Sequence, residues 1–180
     1  TPEKRILSPF PRLSYADALA RYGSDKPDLR FGMMLVDLTD DLKESSFGIF
    51  SRTAQSGGQI KAIVAPGCAD YTRRQIDELT EVAKAQGGKG LVTLAFFEEG
   101  VKGSVVKYIA EEELDRIAEL GEVEDGDLVC IVADKAEIVA PALGTLRLVF
   151  RDRLALVDPD LLAFGWVLDF PMFEWNDEED

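Results

Sequence analysis

Apolar and polar positions follow two rhythms along this chain, one helical and one extended. The clearest helical stripe is Ile76, Leu79, Val82 and Ala83, which predicts a helix over 73–86. Thr72 precedes it as N-cap, and Gly87-Gly88 closes it. Leu114, Ile117, Ala118 and Leu120 predict an amphipathic helix over 111–120. Ser14 caps a short helix over 15–22, with Ala16, Leu19 and Ala20 inward and Gly23 as its stop. Leu143, Leu146, Val149 and Phe150 mark the buried face of a longer helix over 135–151. Pro141 inside that pattern is expected to kink it or to begin its main body. Thr39 is expected to cap one more short helix, 40–45, with acids in its first turn.

Extended runs lie between these. Gln59 to Ala65, Leu91 to Phe97 and Leu128 to Ala133 read as strands, the last central. Met33 to Leu38, Phe47 to Phe50 and Phe164 to Phe170 read as further strands, and Val105 to Ile109 as a strand or the approach to a helix. Gln55 to Gly58 and Glu98 to Gly103 have turn composition, and Gly23 to Gly32 reads as a structured loop. Strands alternate with helices in the middle, yet strand-to-strand turns occur too. The mixture predicts an α+β fold: a mixed or mainly antiparallel sheet packed with about four helices, not a doubly wound parallel sheet. Phe96, Phe97, Trp166, Phe170, Phe173 and Trp175 are expected in the core rather than as stacking platforms for bases.

Composition narrows the chemistry. Hydrophobic residues make up 46% and charged residues 30%, a globular rather than a disordered balance. No apolar run reaches the roughly 18–20 residues that span a bilayer, and the first residues do not read as a signal peptide. The chain starts without Met and is expected to be a piece of a longer protein. Cys68 and Cys130 are expected to be reduced thiols, one near a turn and one in an apolar strand. Histidine is absent, which removes the commonest general base, the commonest zinc ligand and every Ser-His or Cys-His nucleophile pair. Thirty-four acidic against 20 basic residues leave a net charge of -14. Phosphate is repelled overall, so contact with nucleic acid needs a local basic patch or a surface outside this stretch.

Arg73 and Arg74 are the best local candidates for such a patch. Cations at a helix N-terminus oppose its dipole, and a bound phosphate would reverse that penalty. The plainer reading is two solvated arginines paired with Asp77 or Glu78. Arg147, Arg151 and Arg153 could form a second basic face, and a solvated face is the favoured reading. Glu111-Glu112-Glu113 is explained by the helix dipole. No calcium-loop pattern occurs, and neither Gly pair matches a phosphate-cradling motif. Lys26, between Asp25 and Asp28, could gate a substrate. A rigid loop packing one domain on another is the favoured reading.

Specific runs carry a family resemblance. Pro11-Arg12-Leu13-Ser14-Tyr15 and the stretch Arg21-Tyr22-Gly23-Ser24-Asp25-Lys26-Pro27-Asp28-Leu29-Arg30-Phe31-Gly32 resemble bacterial-type aspartyl-tRNA synthetase. Thr72-Arg73-Arg74-Gln75-Ile76-Asp77-Glu78-Leu79, Gly88-Lys89-Gly90-Leu91 and Asp169-Phe170-Pro171-Met172-Phe173-Glu174-Trp175 are similar to later stretches of that family, in the same order. The resemblance implies the α+β domain inserted between two class II signatures, with short catalytic-domain flanks. It implies a flank over 1–38, the inserted domain over 39–157, and a return strand with an acidic tail over 158–180. The parent would be a cytoplasmic homodimer that joins aspartate to tRNA with ATP and Mg through aspartyl-adenylate. The insertion would lie near the tRNA acceptor arm and against the parent's catalytic domain, with Arg73 and Arg74 toward the tRNA backbone. The family's ATP and aspartate signatures match nothing here, so no catalytic residue, metal ligand or cofactor is assigned to this chain. The same domain type occurs in tRNA-dependent amidotransferase subunits, which leaves a stand-alone accessory domain as the alternative. A small acid-dependent hydrolase is a weaker third reading and requires an Asp/Glu pair placed in a cleft.

Overall fold

The computed structural model describes residues 3–173. Its elements run β1 (Arg5–Leu7), β2 (Arg12–Ser14), α1 (Tyr15–Tyr22), β3 (Val36–Asp37), α2 (Gly48–Gln55), β4 (Gln59–Ala65) and α3 (Arg73–Ala85). Then come β5 (Val92–Phe97), β6 (Gly100–Lys102), a 3-10 turn (Val106–Tyr108), α4 (Glu111–Gly121), β7 (Leu128–Asp134), α5 (Ala136–Arg153), β8 (Leu161–Ala163) and β9 (Trp166–Leu168).

The main sheet has the order β3-β4-β7-β5-β6 and is antiparallel throughout. Strand β7 lies at its centre. It pairs with β4 from Gln59↔Asp134 to Ala65↔Leu128 and with β5 from Val92↔Ile131 to Ala95↔Leu128. Helices cover both faces. Leu128, Cys130 and Val132 pack with Leu79 of α3 and Leu143, Leu146 and Phe150 of α5. Val129 and Ile131 pack on the other face with Phe50 of α2 and Ile117 of α4. Alternate residues of β7 therefore enter two different cores, which is why its sequence is a continuous apolar run rather than an alternating one. The expected α+β fold with an antiparallel sheet is the one observed. Both cysteines are free and buried, and burial pushes both thiols up from their ordinary pKa.

Two short parallel pairs, β1 with β8 and β2 with β9, bring the early and late ends of the described chain together. Lys4 and Arg5 pair with Asp160 and Asp158 beside them. Helix α1 ends on Gly23, whose φ of 69° suits a residue without Cβ. The same glycine touches α5. A Cβ on Gly23 would lie 2.3 Å from the Ala140 oxygen, and one on Gly144 would lie 2.5 Å from the Gly23 oxygen. Main chain thus meets main chain, and α5 runs as one helix through Pro141.

The loop after Gly23 is anchored by Arg147, which is 1% exposed. This overturns the solvated-face reading for that residue. Its Nε donates to the Met33 carbonyl at 3.0 Å, and one terminal nitrogen donates to the carbonyls of Asp28, Phe31 and Gly32 at 2.8–3.0 Å. The guanidinium also lies 3.8 Å from the Phe31 ring centroid and 5.1 Å from that of Tyr22. Burial lowers its pKa, and the Asp28 charge opposes that. A guanidinium keeps its proton regardless. Asp28 accepts from Arg30 Nε at 2.9 Å and Arg30 Nη2 at 2.7 Å, and from Arg151 at 3.3 Å. The Arg30 guanidinium, foremost, holds the Asp28 carboxyl down at about 2.

Other expectations are corrected. Phe47 to Phe50 is not a strand: Phe47 caps α2 and Phe50 is fully buried, one helical turn apart with rings at 5.0 Å. The helix expected over 40–45 is only a turn sequence, with Leu38 and Leu42 buried. Thr39 does not cap a helix; its hydroxyl accepts from the Ile60 amide at 3.0 Å and ties the turn to β4. The strand over 33–38 shrinks to Val36–Asp37, because Met33 turns to a φ of 61° and gives its carbonyl to Arg147. Likewise, 164–170 shrinks to Trp166–Leu168, and 105–109 holds a 3-10 turn. Phe96 is buried, but Trp166, Phe170 and Phe173 are exposed rather than core. Trp175 and the acidic tail fall outside the described residues.

Arg147→Met strands the loop carbonyls in an apolar setting, and the expected loss is more than about 3 kcal/mol by chemical denaturation. Arg147→Lys should not restore it, since a lysine lacks the planar fork and the ring stacking. A loss under about 1 kcal/mol for either would show the loop held by something else. Asp28 has a lowered folded pKa, so its contribution is complete above the ordinary carboxylate range and vanishes as pH falls through about 2. Asp28→Asn should therefore cost about 2 kcal/mol at neutral pH, with the gap to wild type closing in strong acid. A gap independent of pH would contradict the ion-pair origin.

Candidate functional site

The start of α3 is built by a reciprocal cap. The Thr72 hydroxyl accepts from the Gln75 amide at 3.4 Å, and the Gln75 side-chain oxygen accepts from the Thr72 amide at 2.9 Å. Two of the helix's free N–H groups are thereby occupied, and the first turn is fixed in place. Arg73 and Arg74 are the first two helical residues, and both are exposed. Neither is drawn into the core.

Arg74 reaches Glu78 one turn on, with Nε 3.6 Å from the carboxylate. The other oxygen of Glu78 accepts from Arg153 at 3.0 Å. Arg153 comes from the last turn of α5 and also lies 5.9 Å from the Tyr71 ring centroid. Tyr71, Thr72, Arg74, Gln75, Glu78 and Arg153 line one shallow depression. One carboxylate therefore sits between two guanidiniums, and their net charge is positive. An incoming phosphate at this rim would compete with Glu78 for both forks.

The structure disperses the three arginines of α5. Arg147 is buried under the loop, Arg151 pairs with Asp28 and Asp152, and only Arg153 joins the α3 start. Sequence reasoning grouped them by helical spacing and missed the pairing with Glu78. The two residues are 75 positions apart, and no local pattern connects them.

Carboxylates are also gathered near the turn before β7. Glu122, Glu124 and Asp127 border a cavity of about 480 Å³. Asp127 spends its two oxygens on the amides of Gly67 and Glu124, each at 3.0 Å. It staples two loops, whereas a general acid must present an oxygen to substrate. Among the described residues, no group of three or more His, Cys, Asp or Glu is placed to hold a metal ion.

Comparison with known proteins adds the family. The model of the GAD domain matches residues 50–143. The aspartate–tRNA(Asp/Asn) ligase of Heliobacterium modesticaldum is 45% identical over 176 residues, which are 98% of this chain and 29% of that protein. The corresponding ligase of Symbiobacterium thermophilum is 49% identical over 175 residues, 97% of this chain and 30% of that protein. The aspartate–tRNA ligase of Geobacillus kaustophilus is 48% identical over 175 residues, with the same coverage. The chain spans about 30% of the length of these relatives. The resemblance carried by the loop after Tyr22 and by the stretch after Leu168 is thus borne out along nearly the whole sequence. With its family model matched over just over half of the 180 residues, the chain belongs to the GAD domain family.

Proposed function

We infer that the chain is the GAD insertion, with short flanks, of an aspartate–tRNA ligase. The observation that carries this reading is the reach of the identity: 45–49% over 97–98% of the chain, well beyond the matched residues 50–143. An unrelated protein that borrowed the GAD domain alone, as an amidotransferase subunit would, has no reason to share both flanks. The parent attaches aspartate to tRNA with ATP and Mg through aspartyl-adenylate. It works in the cytoplasm as a homodimer, with the insertion non-catalytic and beside the tRNA acceptor arm.

Residues 1–38 then belong to the parent's catalytic domain, 39–157 to the insertion and 158–180 to the return. The parallel pairs β1–β8 and β2–β9 support this division, since an inserted domain must leave its host and rejoin it at neighbouring points. Exposed Ile6, Leu7, Phe10, Phe164, Trp166 and Phe170 beside them suit a surface covered by the rest of that domain. No helix among the described residues is long and apolar enough to cross a membrane.

Arg73 and Arg74 are the proposed contacts to the tRNA backbone. Their exposure at a helix N-terminus supports this, as does Arg153 on the depression that Arg74, though not Arg73, lines. Against a net charge of -14 the contact is weak and salt-sensitive.

Two outcomes are expected. The isolated chain should support no aspartate-dependent ATP–pyrophosphate exchange, and exchange by contaminant-free material would overturn the reading. Filter binding should detect weak tRNA retention at about 50 mM salt that falls steeply by about 200 mM. Substituting Arg73→Glu and Arg74→Glu together should abolish it. Unchanged retention would remove both residues from the contact.

A further inference from the structure

The α2/α4 layer does not cover the whole of its sheet face. Beside α2, over Val92, Ile131 and Ala133, lies a cavity of about 510 Å³. That volume is ample for a small ligand, whose sites commonly measure about 300–1,000 Å³. Phe47 walls the cavity, so floor and wall are apolar. The charged side chains that line it are Arg52 and Lys89, and no Asp or Glu lines it. In a chain with 34 acidic and 20 basic residues, that sign is against the average.

The two cations differ in what else they meet. Arg52 is exposed and has no carboxylate partner among the described residues. Lys89 donates to the buried Asp134 carboxylate at 3.4 Å, but its own side chain is 86% exposed, so an anion at the rim would share this cation with Asp134 and have Arg52 to itself. A neutral apolar ligand would leave these charges unused, and a bare inorganic anion would leave the floor unused. Apolar floor and cationic rim together select a molecule with both parts.

We propose that this cavity binds a small amphipathic anion, with its apolar body on Val92, Ile131 and Ala133 and its carboxylate or phosphate head at Arg52 and Lys89. The site shares no lining residue with the depression at Arg74 and Arg153, so it stands or falls apart from the ligase reading.

The test titrates the 180-residue chain with octanoate, octyl phosphate and octanol, read by backbone amide NMR shifts. Both anions should saturate, with shifts concentrated near Phe47, Arg52, Lys89 and Ala133. Octanol should bind at least about tenfold more weakly, and Arg52→Gln with Lys89→Gln should weaken the anions about tenfold without affecting octanol. Whichever anion binds tighter supports the proposal and identifies the head. Ala133→Leu, which fills the floor, should remove binding of all three. The rim pair is exposed, so its effect is readable even if the floor variant misfolds. Octanol binding as well as the anions would mark an apolar contact only, such as a protein side chain docked there, and would overturn the proposal. Anion binding indifferent to the rim variants, or no saturation at all, would also overturn it.

Discussion

A positive charge sealed beneath a loop is the constraint on which the middle of this structure depends. Among the described residues the Arg147 guanidinium makes no direct ion pair; it is met by carbonyl oxygens from four residues and by two aromatic faces. Its nearest compensating carboxylate, Asp28, is itself gripped by Arg30 and Arg151. Burying a charge is costly unless every donor finds a partner. Here the partners are main-chain atoms, so the loop backbone must take one path. The interaction spans 114–119 positions of sequence and ties residues before the sheet to the last long helix.

That helix is the axis of the molecule. One side of α5 presents Val139, Leu143, Leu146 and Phe150 to the sheet and to α3. Another meets α1 at Gly144 and the loop at Arg147. Its last turn delivers Arg153 to Glu78 at the α3 start. Sheet, loop and candidate site are thereby positioned by a single rigid element. The opposite layer is thinner: α2 has only eight residues, and a stretch of sheet beside it lies open.

Legibility in the sequence followed the range of the forces involved. Helices α1, α3 and α4 and strands β4 and β7 were readable because caps, stripes and apolar runs are local signals. Phe47 to Phe50 misled because a four-residue stretch with apolar side chains at 47, 49 and 50 fits both periods. Only the tertiary pocket that takes Phe50 decides for helix. Arg147 misled for a deeper reason. Its helical neighbours Arg151 and Arg153 are charged in the same way yet go to ion pairs, and the carbonyls that receive Arg147 lie over a hundred residues away. At the candidate site, Arg73 and Arg74 were visible from their place after the Thr72 cap, whereas Arg153 joins Glu78 beside Arg74 only through the fold. The flank aromatics misled because exposure depends on what else covers them, which composition does not encode.

The contact between Gly23 and Gly144 has a consequence for how this architecture can drift. Where helices meet through side chains, a larger residue on one can be offset by a smaller one opposite, and the crossing angle shifts a little each time. Here no side chain exists on either partner to trade. At this point the spacing of α1 and α5 is set by peptide geometry, so substitutions elsewhere along the two helices leave their closest approach in place only while both positions stay glycine.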